Sequence, residues 1–107
     1  MNAEVTTPEL QREVARICQR LHERGFVANH EGNVTTLTAD GHILATPTAV
    51  YKGDIRQGDL LLLDRQGRKV LGSRKPFSEL PMHLAVYRAR PDVGAVVHAH
   101  PPTATAF

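Results

Sequence analysis

Three side chains in the stretch Arg74–His100 have the types and spacing to do chemistry. His98 and His100 stand two apart at the end of an apolar run, and Glu79 stands at the start of a helical pattern. Side chains at i and i+2 of a strand leave the same face, roughly 6–7 Å apart at the backbone. Two imidazoles so placed converge on one tetrahedral metal ion, with Glu79 or a further histidine as third ligand. Zinc suits imidazole plus carboxylate, with Mn2+ or Co2+ as alternatives. A Lewis acid there would bind a carbonyl oxygen and a neighbouring hydroxyl, acidify the adjacent C–H and stabilise the enediolate that forms. Glu79 is the acid placed to shuttle that proton. His83, four residues later, shares the helix face of Glu79 and reads as a partner behind the ligands or a surface residue. His30 and His42 fall in loop and turn contexts and read as surface residues.

These residues need elements to hold them. Thr7-Pro8 reads as a helix start, an N-cap before a proline whose missing N–H costs nothing there. Leu10, Val14, Ile17, Cys18 and Leu21 follow at helical spacing, and Gly25 supplies the stop. Cys18 lies on that apolar stripe and reads as a small core residue. Val34–Thr38 and His42–Thr46 read as strands of a hairpin turning at Asp40-Gly41. Leu60–Leu63 reads as a buried strand returning through Arg68–Gly72, since its flanking turns outweigh the ambiguity of a short apolar run. Ser78 reads as the N-cap of a helix with Pro81 in its first turn and Leu80, Leu84 and Tyr87 on its apolar stripe. Val93–Val97 is apolar enough to predict a strand buried on both faces, delivering His98 and His100 before Pro101-Pro102. Two polar loops, Gly32-Asn33 and Thr46-Pro47-Thr48-Ala49, follow or precede strands. Glycine lets the backbone approach closely there, and the Asn33 amide both donates and accepts. The order predicts a layered α/β fold with a largely antiparallel sheet.

Composition narrows the function. The 107 residues carry a formal net charge of +2 and a single cysteine, with no apolar run near the ~20 residues that cross a bilayer. Arg65, Arg68, Lys69, Arg74 and Lys75 form a loose basic group without interleaved aromatics, which argues against a nucleic-acid face. One cysteine and a polar N-terminus fit a cytoplasmic protein rather than a disulfide-stapled secreted one. Thr103–Phe107 reads as the first turn of a further helix, so residues 1–107 are expected to be the truncated N-terminal portion of one domain.

Four motifs, in order, carry a resemblance: Gly32-Asn33-Val34-Thr35; Thr46-Pro47-Thr48; Ser78-Glu79; and Arg90-Pro91-Asp92-Val93 through Val96-Val97-His98-Ala99-His100. The chain resembles the class II aldolase/adducin family, in its L-fuculose-phosphate aldolase-like branch. The resemblance implies a central sheet flanked by helices and a homotetramer with sites between subunits. It implies zinc held by His98, His100 and a third histidine beyond Phe107, and it makes Glu79 the acid/base. Asn33, Thr48 and Ser78 match positions that hold a substrate phosphate. Ala49 stands where the aldolases often carry glycine, and Phe77 stands in place of the first of two serines. Both departures fall in the phosphate pocket and imply a larger or less charged hydroxy-carbonyl substrate. The function expected is a zinc-dependent lyase acting on a sugar or sugar-phosphate-like compound. The alternatives are a decarboxylase or epimerase with the same metal chemistry, or a non-catalytic adducin-like module or inactive fragment. The intact histidine pair favours an enzyme, since a binding module has no need of ligands.

Overall fold

The computed structural model describes residues 8–27, 32–47 and 55–100. Helix α1 spans Pro8–Glu23. Its chain stops at a Schellman arrangement, in which Phe26 N–H reaches Leu21 O (2.9 Å) and Gly25 N–H reaches His22 O (3.0 Å). Gly25 takes the left-handed φ of 74° that this closure requires. Strands β1 (Asn33–Leu37), β2 (Ile43–Ala45), β3 (Leu61–Leu63), β4 (Lys69–Leu71) and β5 (Ala95–His98) form one sheet in the order β4-β3-β2-β1-β5. Every neighbouring pair is antiparallel. A 3-10 turn, Gln57–Asp59, precedes β3, and α2 (Leu80–Ala89) precedes β5. This is the layered α/β fold that the order of elements predicts.

The two helices lie on opposite faces of the sheet, because strand side chains alternate between faces. Val14, Ala15 and Cys18 of α1 pack with Val34, Leu44, Ile55 and Leu60. On the other face Leu80 and Tyr87 of α2 pack with Ile43, Ala45, Leu61, Leu63 and Phe77. Leu61, Leu62 and Leu63 are all buried, as a central strand covered on both sides must be. Cys18 is wholly buried in the first cluster, a core residue.

Two expectations are corrected. β5 is not buried on both faces: it sits at the end of the sheet order beside β1, and Val97 is 51% exposed. Among the described residues its one neighbouring strand is β1. Ser78 does not cap α2 either. Glu79 occupies the N-cap position without a side-chain cap bond, and Pro81 falls in the first turn. The Glu79 carboxylate is thereby left to face the sheet.

Candidate active site

Antiparallel register sets the first contact. Asn33, the first residue of β1, lies directly opposite His98, the last of β5. Two residues further along β1, on the same face, Thr35 points the same way as Asn33. Across from them α2 presents Glu79, His83 and Tyr87, four residues apart and so on one helix face. Four residues of helix rise roughly 6 Å, and two residues of strand advance about the same distance. The two rows therefore interleave in step.

The result is a zigzag of side-chain hydrogen bonds. Asn33 Nδ2 donates to Glu79 Oε1 at 2.8 Å. Asn33 Oδ1 meets His83 Nε2 at 2.5 Å and His98 Nδ1 at 3.3 Å. His83 Nδ1 meets Thr35 Oγ1 at 2.8 Å, and Thr35 Oγ1 meets Tyr87 OH at 2.7 Å. Asn33, Thr35, His83 and Tyr87 are all buried, so their polar atoms need protein partners.

Donor directions follow from Glu79. A carboxylate only accepts, so the Asn33 amide nitrogen faces it and the amide oxygen faces the imidazoles. His83 Nε2 and His98 Nδ1 then carry protons, and neutral His83 accepts at Nδ1 from Thr35, which accepts from Tyr87. Protonating His98 at Nδ1 leaves its Nε2 lone pair free for a metal, the usual way in which a partner behind a ligand selects the tautomer. His98 and His100 have ring centroids 4.9 Å apart. The His100 backbone N–H is tied to Phe26 O at 2.8 Å, which anchors the pair to the end of α1.

Charges agree with this reading. Burial, reinforced by nearby His98, depresses His83 from the ordinary imidazole value of 6.5 to about 4, so it is neutral near pH 7. The Ser78 hydroxyl holds the Glu79 carboxyl below its usual range, against a rise from burial and with help from the Asn33 amide. Ser78 Oγ makes a short hydrogen bond to Glu79 Oε2. Glu79 is thus an ionised carboxylate with both oxygens hydrogen-bonded. Burial raises the Tyr87 phenol above 10, so it stays a donor.

The depressed value of His83 predicts a pH signature. As pH falls below 6.5 the unfolded chain binds a proton at this position that the folded chain refuses until about 4. Stability should therefore fall as pH drops through that window, by at most about 1.4 kcal/mol per pH unit, and His83 should contribute no slope above it. Urea unfolding at pH 7.5, 6, 5 and 4 checks this, and His83→Phe should flatten the slope.

His83 is therefore not a surface residue: its relative exposure is 0%. Its edge packs on Phe77, with ring centroids 4.9 Å apart, so Phe77 supports the zigzag from the core side. His42 is half-buried beside Asp40, with Nδ1 3.2 Å from Oδ1. Thr48, Ala49 and His30 lie outside the described residues. Thr35 and Tyr87 were not singled out by their chemistry. The signal that finds them is Asn33-x-Thr35 on a strand matched to Glu79, His83 and Tyr87 at every fourth residue of a helix.

His98 and His100 supply two neighbouring imidazoles, the donor type a zinc ion takes. Among the described residues no three His, Cys, Asp or Glu side chains come close enough to hold one ion. Glu79 is linked to His98 through Asn33 rather than grouped with the histidines. A cavity of about 580 Å³ lies elsewhere, against α1, lined by Arg12, Arg16, Gln19, Ile55 and Arg56. It contains none of the zigzag residues.

Residues 12–107 match the Class II Aldolase and Adducin N-terminal domain, and the chain belongs to that family. The chain is 41% identical over 96 residues to L-fuculose phosphate aldolase of Methanococcus vannielii, covering 90% of this chain and 51% of that protein. It is 37% identical over 98 residues to 3-oxo-tetronate 4-phosphate decarboxylase of Escherichia coli, covering 92% of this chain and 46% of that protein. The crystal structure of YgbL from Klebsiella pneumoniae superposes with a TM-score of 0.86 at 36% identity, covering 92% of this chain and 47% of that one. The chain thus spans about half the length of the curated relatives it matches. Among the described residues no helix is long and apolar enough to cross a membrane.

Proposed function

We propose that this chain carries the acid/base and part of the metal site of a zinc-dependent lyase acting next to the carbonyl of a sugar or sugar-phosphate-like substrate. The observation that carries the reading is the double use of Asn33, whose amide holds Glu79 at one end and His98 at the other. That arrangement sets an ionised carboxylate beside an oriented imidazole pair, which is what proton transfer at an acidified carbon requires. Zinc held by His98 and His100, with remaining coordination from outside the described residues, would supply a Lewis acid to the substrate oxygens. Mn2+ or Co2+ would serve the same role. Glu79 takes the proton from the carbon next to the carbonyl, or returns it, while Ser78 and Asn33 keep its two oxygens apart and aimed. Ser78 and Asn33, with Thr48, also stand as the groups that hold substrate oxygens. The assembly in which this chemistry runs is proposed to be a tetramer.

Decarboxylation is the second reading, favoured by the similarity to 3-oxo-tetronate 4-phosphate decarboxylase. Loss of CO₂ next to a carbonyl leaves the same electron-rich carbon, which would then take a proton from solvent water relayed through Glu79. Product analysis separates the two, since a lyase of the aldolase type releases an aldehyde and a decarboxylase releases CO₂.

Metal content tests the shared part of both. Purified protein should keep zinc through dialysis, and His98→Ala combined with His100→Ala should lose it while circular dichroism stays unchanged. Folded wild-type protein that holds no metal would sink the proposal.

A further inference from the structure

We infer that His83 is a positioning residue: its Nε2–H locks the Asn33 amide in the one orientation that aims Glu79 and selects the metal-binding nitrogen of His98. The inference rests on the reading of His98 as a ligand and goes beyond it, to a buried side chain that touches neither metal nor substrate. Asn33 is 2% exposed, and an amide has two near-isosteric orientations. In the observed one its oxygen receives two imidazole donors, at 2.5 Å from His83 and 3.3 Å from His98. In the flipped one an NH₂ group would face those donors, and a carbonyl oxygen would face the Glu79 carboxylate, losing every bond at once.

His98 alone does not decide between the two orientations. Its contact with Asn33 is the longer, and its ring can move its proton to Nε2 and accept from a flipped amide instead. His83 lacks that freedom. It is wholly buried between Asn33 and Thr35, with Phe77 against its ring. The Tyr87 oxygen accepts from the Val96 backbone and gives its own proton to Thr35 Oγ1, so Thr35 donates to His83 Nδ1 and Nε2 is left as the donor. The Asn33 amide is thus held from both ends, by the Glu79 carboxylate and by His83, which stands one helical turn inside the core. The chain of bonds is not a proton wire, because the Asn33 amide cannot pass a proton along. It only aims.

Two variants separate positioning from packing. His83→Phe keeps the ring shape and the contact with Phe77 but removes the donor. His83→Gln loses the ring but places an amide N–H near the position of Nε2. Long-range ¹H–¹⁵N correlation of the metal-free protein at pH 8 reads the His98 tautomer directly. The wild type should show the Nδ1–H form, His83→Phe a mixture, and His83→Gln the wild-type form. Zinc competition should show affinity about 10–100-fold weaker for His83→Phe and within a few-fold of wild type for His83→Gln. A wild-type tautomer and affinity in His83→Phe would overturn the inference, as would a folded His83→Gln protein with a mixed tautomer. If His83→Phe does not fold, His83→Gln alone decides by the same criterion. A wild type that binds no zinc defeats the proposed function, while the tautomer measurement still judges the role of His83 independently.

Discussion

Glu79→Gln is expected to lower proton exchange at the carbon next to the substrate carbonyl by about 10²–10⁴-fold, the usual contribution of a positioned general base. The side chain keeps its length, and its amide can still meet Ser78 and Asn33, so the fold should be retained. What is lost is the basic oxygen. The carboxylate is held below its usual pKa range chiefly by the Ser78 hydroxyl, so the wild type is ionised across the neutral range and the loss should be independent of pH there. Solvent deuterium incorporation into substrate, measured by NMR, checks this with no need for the full turnover. Undiminished exchange in a folded Glu79→Gln protein would remove Glu79 from the mechanism. Because Glu79 stands outside any three-residue ligand group among the described residues, zinc retention in this variant should stay close to wild type. A large loss of zinc would instead make Glu79 a ligand.

Gly32→Ala is expected to destabilise the protein by roughly 3 kcal/mol and to weaken zinc retention with it. Gly32 takes a φ of 79°, and a Cβ built there would lie 2.5 Å from Val27 Cγ1 and 2.8 Å from the His98 carbonyl oxygen. The second contact is with backbone, which cannot rotate away. Relief would have to come from moving the end of β5, and His98 sits on that end, opposite Asn33. The close approach permitted by glycine is thus between two segments of this chain, and it sets the distance from the Asn33 amide to His98. Urea unfolding measures the stability term, and dialysis against chelator measures the metal term. Stability within about 0.5 kcal/mol of wild type would show that the loop absorbs the methyl group and that Gly32 has no such role.

The layered fold was legible from residue types and periodicity, because these depend on local relations. Helical spacing in Leu10–Leu21, turn residues at Gly25 and Asp40-Gly41, and His-x-His at a strand end are each set within a few positions. The leucine run at 61–63 became a central strand because its flanking turns left room for nothing longer. Strand Val93–Val97 was misjudged for the opposite reason. An apolar run reports what its side chains prefer and not what covers them, and among the described residues β5 has β1 as its one neighbour and Val97 exposed. Ser78 likewise has the residue type of a cap, yet the chain enters α2 one residue later.

By itself the sequence determined the elements that carry Glu79, His98 and His100 and the family resemblance of their motifs. Only the tertiary structure decided that His83 is buried, that Asn33 is shared between Glu79 and His98, and that Thr35 and Tyr87 close the chain of bonds behind them. The reason is physical. Those contacts join residues 46 to 65 positions apart, and they exist because β1 is paired with β5 while α2 is laid across β1 in step with it. A helix that rises about 6 Å every four residues matches a strand that advances about as far every two, but only packing brings the two rows together.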